Sequence, residues 1–126
     1  MEFNDGTGKF VDTLSTVLPA SPVPYATIVH IASMDLNGDG LMDLLVSSTR
    51  GDSSHAVYYR VGHVQFLVNA GNGNFIDETN ARYPQSLELT GWWWKFIRPV
   101  DMNGDGALDL LLVGGARANE LTSVSA

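Results

Sequence analysis

The chain has 126 residues, of which 44% are hydrophobic and 17% charged, proportions typical of one modest globular domain rather than a disordered segment. Its formal net charge is -7, from 14 acidic and 7 basic residues, which argues against nucleic acid or an anionic membrane as a partner. Cysteine is absent, so disulfides and thiolate metal sites are excluded, and no apolar run approaches the roughly 18 residues that suggest a membrane-spanning helix.

The N-terminal stretch MEFNDGTGKF has neither the basic segment nor the apolar stretch of a signal peptide. If the protein is exported, we therefore expect the sequence shown to have lost its signal peptide or to be one piece of a longer chain. NDGTGKFVDT at 4–13 matches NAGNGNFIDE at 69–78, which predicts an internal repeat of about 65 residues. The approximate units are 4–68 and 69–126, and the second is incomplete, because no counterpart of HVQFLVN (63–69) follows its last apolar run.

Short apolar segments bounded by Gly, Asn, Asp and Ser predict strands along the whole chain. In chain order they are YATIVHIASM (25–34), MDLLVSS (42–48), HVQFLVN (63–69), NFIDE (74–78) and LDLLLVGG (108–115). Several are apolar on both faces, which is typical of strands covered on both sides, and no segment keeps a 3.6-residue period, so little or no helix is expected. Such sheets at a fixed interval favour propeller blades packed face to face, while spacing alone leaves a β-sandwich open.

Two acidic loops carry the clearest chemical signal: DLNGDGLMDLLV at 35–46 and DMNGDGALDLLLV at 101–113. Counting the first Asp as position 1, oxygen-bearing side chains stand at positions 1, 3, 5 and 9, and the glycines between them allow a tight turn. These donors suit Ca²⁺, which binds six to eight oxygens, with the backbone carbonyl at position 7 as a fifth ligand group. The predicted ligands are Asp35, Asn37, Asp39, Leu41 and Asp43 in one loop, and Asp101, Asn103, Asp105, Ala107 and Asp109 in the other.

Binding two Ca²⁺ ions per chain would relieve the repulsion among the three carboxylates of each loop and change the net charge from -7 to about -3. A plain Asn-Gly or Asp-Gly hairpin turn is the alternative, but such a turn needs no acids at positions 1 and 9. An EF-hand loop is a second alternative. It would place a ligand at position 12, where Val46 and Leu112 stand inside apolar runs.

The two loops resemble the calcium loops of FG-GAP/VCBS repeat proteins, the integrin-α-like β-propellers, and NDGTGKFVDT and NAGNGNFIDET resemble the strand-turn-strand that precedes such loops. The resemblance covers about two repeats. It implies an all-β fold of propeller blades with one structural Ca²⁺ per loop. The chain departs from the family in having only about two units, fewer than a closed propeller needs, so we expect its blades to belong to a larger propeller or a homo-oligomer. The resemblance also implies an extracellular or secreted protein that recognises a protein or glycan ligand, as in adhesion. An accessory non-catalytic domain of a secreted carbohydrate-active enzyme, or a lectin, is the alternative function.

The stretch GWWWKF (91–96) is the most unusual segment outside the loops. In a strand, Trp92 and Trp94 would face one way and Trp93 the other. Packing between blades is the simpler interpretation, and a stacking surface for a sugar or a partner side chain is the alternative. Tyr58 and Tyr59 are weaker candidates of the same kind.

The sequence contains no recognisable catalytic constellation. His30, His55 and His63 do not form a ligand cluster, and His30 is expected to be a hydrogen-bonded structural residue within a strand. The serines lack nucleophile-elbow glycines, and no glycine-rich phosphate loop is present. We therefore expect this chain to have no enzymatic activity of its own.

Overall fold

The structure, a computed structural model, describes residues 1–11, 16–23, 26–50, 61–83, 89–90, 92–116 and 124–125. Two antiparallel sheets account for most of this part of the chain. The first contains β1 (Ala26–Met34), β2 (Asp43–Arg50), β3 (Val61–Gly71), β4 (Asn74–Asp77) and β5 (Leu89–Thr90), and the second contains β6 (Trp92–Val100), β7 (Asp109–Ala116) and β8 (Val124–Ser125). A four-residue helix, α1 (Thr79–Arg82), lies between β4 and β5. The predicted all-β fold is confirmed.

The first sheet has the strand order β1-β2-β3-β4, and β5 pairs with the beginning of β3. The turn between β3 and β4 is the two-residue segment Asn72–Gly73, with φ of 55° and 77°. Positive φ at both central residues is what a type I′ hairpin turn requires, and Asn-Gly is its preferred sequence. The N-terminal copy of this segment forms a similar reversal, closed by a bridge between Asn4 and Phe10.

The second sheet has the order β6-β7-β8. The two-residue strand β8 pairs with β7 at Leu112 and Val113, beside β7 as β3 lies beside β2. The incompleteness of the second unit, which lacks the sequence HVQFLVN, stays a prediction. A two-residue strand carries no alternating pattern, which is why the sequence did not reveal it.

A β-bulge interrupts β1 and β6 at the same position of the repeat. Val29 is the extra residue between Ile28 and His30, and Lys95, 66 residues later, is its counterpart in β6. A bulge inserts an unpaired residue and changes which side chains share a face of the sheet. The two units are therefore copies at the level of local backbone irregularity as well as strand order.

The two sheets pack face to face, as propeller blades do, and their interface forms the main core. The buried cluster consists of Met34, Leu45, Val64 and Phe66 from the first sheet and Trp94, Ile97 and Leu112 from the second. Two hydrogen bonds cross the same interface. Ser47 Oγ donates to the carbonyl of Trp94 (2.5 Å), and the N–H of Ile97 donates to Nδ1 of His30 (3.1 Å). The expectation that His30 is a hydrogen-bonded structural residue is confirmed.

The outward face of the first sheet is the counterpart of the face that the second sheet buries. Ile97 is 1% exposed and Trp94 is 7% exposed, whereas their counterparts Ile31 and Ile28 are 45% and 58% exposed. Residues 18–21, which we call the N-terminal strap, cover part of this outward face, and Gln65 Nε2 donates to the Ala20 carbonyl there (3.0 Å). The structure therefore leaves one apolar sheet face half covered.

Candidate metal centre

The first acidic loop joins β1 to β2 and wraps around the carboxylate of Asp35. Its Oδ1 accepts hydrogen bonds from the N–H groups of Gly38 (2.8 Å) and Asp39 (3.2 Å), and its Oδ2 accepts one from Gly40 (2.8 Å). Gly38 and Gly40 have φ of 74° and 85°, a conformation that side-chain-bearing residues rarely adopt. The hydrogen bond from Gly40, helped by those from Gly38 and Asp39, lowers the pKa of Asp35 against a smaller opposing effect of desolvation.

The middle of the loop is ordered by shorter-range contacts of the same kind. Asn37 Oδ1 accepts the N–H of Asp39 (3.2 Å), and Asp39 Oδ1 accepts the N–H of Leu41 (2.8 Å). Asn37 Nδ2 also donates to Asp39 Oδ2 (3.1 Å). Positions 1, 3 and 5 of the loop thus form one compact turn of oxygen-bearing side chains.

Position 9 of the first loop, Asp43, is fully buried at the start of β2. Its Oδ2 accepts the N–H of Leu36 and its Oδ1 the N–H of Asn69, both at 2.7 Å. Asn69 in turn donates through Nδ2 to the carbonyl of Met42 (3.1 Å). Burying a carboxylate is costly unless it is hydrogen-bonded, and these contacts supply that compensation while tying the loop to β3. The sequence showed Asn69 only as part of a repeated turn, and its link to the acidic loop was missed.

The second loop repeats this hydrogen-bonded scaffold 66 residues later. The equivalent bonds are Gly104 N to Asp101 Oδ1 (2.7 Å), Asp105 N to Asp101 Oδ1 (3.2 Å), Gly106 N to Asp101 Oδ2 (2.9 Å), Asp105 N to Asn103 Oδ1 (3.1 Å), Ala107 N to Asp105 Oδ1 (2.8 Å) and Met102 N to Asp109 Oδ2 (2.9 Å). One difference is burial, because Asp109 is half-buried where Asp43 is fully buried.

The donor set of each loop fits a hard cation such as Ca²⁺, because all of its candidate ligands are carboxylate, amide or carbonyl oxygens. The described residues contain no group of three or more His, Cys, Asp or Glu side chains arranged to hold a metal ion. Their carboxylates are turned toward backbone N–H groups of the loop. A carboxylate has about four lone-pair sites, so these hydrogen bonds leave acceptor capacity for a cation. The assignment of calcium to the two loops stays a prediction.

The tryptophans of GWWWKF are divided between the core and the opposite face of β6. Trp94 packs between the sheets, so its ring belongs to the core and is not an exposed stacking surface. Trp93 is half-buried on the other face, where its indole lies against Gly115. The side chain of Trp92 lies outside the described part of the structure, as do Tyr58, Tyr59 and His55.

The repeated blades and loops agree with the comparison of the chain with known families. The model of the FG-GAP-like repeat matches residues 50–112, and the model of the FG-GAP repeat matches residues 29–59. The chain therefore belongs to the FG-GAP repeat family, with about two repeats. No curated protein and no solved structure matches it significantly.

FG-GAP repeats are generally non-catalytic and typically extracellular, and they indicate a propeller-type module of recognition or adhesion in general terms. In the described ranges, no helix has the length and apolarity to cross a membrane.

Proposed function

We propose that this chain is a calcium-binding segment of an extracellular β-propeller that acts in protein or glycan recognition and has no catalysis of its own. The observation that carries the proposal is the duplicated acidic loop. Both copies place oxygen-bearing side chains at positions 1, 3, 5 and 9 on the same hydrogen-bonded scaffold. A turn alone would not require that chemistry twice.

Each ion would be held by the predicted ligands of its own loop. In the first loop these are the side chains of Asp35, Asn37, Asp39 and Asp43 with the carbonyl of Leu41, and in the second Asp101, Asn103, Asp105 and Asp109 with the carbonyl of Ala107. A bound dication would neutralise clustered carboxylates and join the strand before each loop to the strand after it. Millimolar extracellular calcium is enough to fill such sites even at modest affinity.

The outward face of the second sheet is suited to packing against a further blade. Trp93 is half-buried there with its indole against Gly115, whereas the ring of Phe96 already contacts His30 of the first sheet. The first sheet packs against the second sheet through its equivalent face. We therefore expect the outward face of the second sheet to pack against a further blade in the same way. The further blade would come from the parent protein or from another copy of the chain.

Calorimetry of Ca²⁺ binding to the purified chain tests the proposal. We expect two ions per chain, one with either Asp39→Ala or Asp105→Ala alone, and none with both substitutions. EDTA should lower the melting temperature of the wild type but not of the double variant. Asp5→Ala is the matched control, because Asp5 also accepts a backbone N–H two residues ahead, from Thr7 (2.8 Å), but lies outside both loops. It should still bind two ions. A double variant that binds Ca²⁺ like the wild type would refute the proposed sites.

A further inference from the structure

A pocket of about 230 Å³ lies between the N-terminal strap and the outward face of the first sheet. Most of its walls are apolar, and they include Leu18 and Pro19 of the strap and Ile28, Val46 and Leu67 of the sheet. The pocket is separate from the acidic loops, because none of the predicted calcium ligands lines it. It is formed by described residues of this chain alone.

One polar group in this pocket has no hydrogen-bond partner among the residues that the structure describes. Ser48 lines the pocket, is 1% exposed, and its hydroxyl makes no hydrogen bond. The two other polar lining residues have partners: Ser21 Oγ accepts the N–H of Val23 (3.2 Å), and Gln65 donates through Nε2 to the carbonyl of Ala20 (3.0 Å) and to Asp77 Oδ2 (2.9 Å). A buried hydroxyl without a partner is destabilising, so Ser48 marks the point where a polar group of a ligand would be stabilising.

The second sheet shows which kind of group the fold places at this position. Ile28 pairs with Ser48 in the first sheet, and their counterparts 66 residues later, Trp94 and Gly114, pair in the second. The indole of Trp94 lies directly over Gly114, so close that a Cβ added to Gly114 would be 2.7 Å from Trp94 Cε3. In the first sheet the smaller Ile28 stands in place of the indole, and the side chain of Ser48, in place of the glycine, lines the pocket.

The volume of the pocket is consistent with one aromatic ring. About 150 Å³ holds benzene in an engineered apolar cavity, and drug-sized ligands need about 300 Å³ or more. We propose that the pocket binds a single aromatic ring that carries a hydrogen-bonding group, of the indole or phenol type, with that group on the hydroxyl of Ser48. The ring could be supplied by a small molecule or by a Trp or Tyr side chain of a partner. This site is independent of calcium binding.

Titration of the Ca²⁺-loaded chain with p-cresol and with indole, followed by backbone amide NMR, tests the pocket. We expect saturable shifts at Val46, Ser48 and Leu67, with a dissociation constant of about a millimolar for ligands of this size. Toluene has the shape of p-cresol without its hydroxyl, and it should bind about three- to tenfold more weakly, as the loss of one hydrogen bond implies.

Two variants and one matched control separate the pocket from general effects on folding. Ser48→Ala should weaken the binding of p-cresol by about three- to tenfold and leave the binding of toluene unchanged. Thr49→Ala removes the neighbouring hydroxyl, which is also buried and unbonded but lies on the opposite face of β2, and it should bind p-cresol like the wild type. Ile28→Trp should put a larger side chain into the wall of the pocket and abolish binding of all three probes.

A blocked tripeptide with a central Trp distinguishes the source of the ring. Binding of both the peptide and free indole would assign the pocket to a partner's side chain, and binding of indole alone would assign it to a small molecule. The proposal is overturned if neither p-cresol nor indole gives saturable shifts at these amides, or if Ile28→Trp binds as well as the wild type. Equal weakening by Ser48→Ala and Thr49→Ala would also overturn the role of the Ser48 hydroxyl.

Discussion

The N–H of Ile97 in β6 donates to Nδ1 of His30 in β1, at 3.1 Å, across the interface between the two sheets. The ring of Phe96 meets His30 edge-on, with 5.5 Å between centroids. This contact aligns the bulged strands of the two blades, and the buried cluster beneath it supplies the apolar stabilisation.

Truncating Trp94 should destabilise the protein much more than truncating Trp93. Trp94 is 7% exposed at the centre of the interface, so Trp94→Ala is expected to cost about 3–5 kcal/mol. Trp93 is half-buried on the outward face, and its removal should cost about half as much or less. Urea denaturation of the two variants measures both values. Equal losses of stability would contradict the division of the tryptophans between core and surface.

The two adjacent glycines of β7 should differ sharply in their tolerance of a methyl group. A Cβ on Gly114 would overlap the carbonyl oxygen of Trp93 and lie 2.7 Å from Trp94 Cε3, so Gly114→Ala should cost about 3 kcal/mol or more. A Cβ on Gly115 meets only the edge of the Trp93 indole at 3.2 Å, and Gly115→Ala should cost about 1 kcal/mol or less. Thermal melts of the pair provide the comparison, and a reversed order would exclude the close packing of Trp94 on β7.

The two position-9 carboxylates should contribute unequally to stability in the presence of EDTA. Asp43 is fully buried and accepts N–H groups from Leu36 and Asn69, so Asp43→Ala leaves two donors unsatisfied and should cost about 3 kcal/mol. Asp109 is half-buried and accepts the N–H of Met102, so Asp109→Ala should cost about 1 kcal/mol. Chemical denaturation with chelator isolates this effect from metal binding. Similar costs would mean that burial of Asp43 does not distinguish the loops.

Acid should destabilise the protein partly through Asp77. Burial raises the pKa of this carboxyl, but the hydrogen bonds from Thr79 and Gln65 together outweigh burial and lower the pKa below its ordinary value. Its contribution to stability is therefore complete above about pH 4 and is lost as the pH falls through the lowered folded-state pKa. Asp77→Asn should flatten the acid side of the stability profile. Glu2→Gln, which removes an exposed carboxylate, should keep the wild-type profile, and an unchanged profile in Asp77→Asn would contradict the assignment.

The exposed sheet faces predict association of the purified chain. Ile31 on the first sheet is 45% exposed, whereas its counterpart Ile97 on the second sheet is 1% exposed at the internal interface. Propellers typically contain four to eight blades, so we expect three or four copies, giving six or eight blades, or pairing with the rest of the parent protein. Light scattering of the Ca²⁺-loaded chain measures the mass.

Ile31→Asp should reduce that mass to one chain, because a charge on the face that associates opposes burial. Val17→Asp, at a residue that is 95% exposed, is the control and should leave the mass unchanged. A wild-type species with cooperative melting and the mass of a single chain would show that two blades suffice, and would favour the compact sandwich that spacing alone left open.

The positions of β1, β2, β3, β4 and β7 could be predicted from the sequence because each is a short apolar run between turn residues, whereas the two-residue strands β5 and β8 could not. The β3–β4 turn followed from Asn72–Gly73, whose positive φ values are what that dipeptide favours. The geometry of the acidic loops followed similarly from Asp and Gly spacing. These features depend on neighbours in sequence, so local patterns were enough to indicate them.

The features that depend on distant residues could not be read from the sequence. The burial of Asp43 requires Asn69, 26 residues away, and the strap requires Gln65 to reach Ala20, 45 residues away. The contrast between Ile97 and Ile31 depends on which sheet covers which face, since both residues are isoleucines at equivalent positions. Local pattern is the same in such pairs, and only the tertiary arrangement distinguishes them.

The bulges at Val29 and Lys95 leave each blade with two unlike faces, and this has a consequence for symmetry. The internal interface joins the face of Leu45 and Phe66 to the opposite kind of face, that of Trp94 and Ile97. Contacts that follow the same rule are heterologous and contain no twofold axis. Copies joined in this way run head to tail, with a free face of each kind left at the ends until rotation closes a ring. The two blades of this chain therefore have a fixed order, and every copy in an assembly built from them points the same way around the ring.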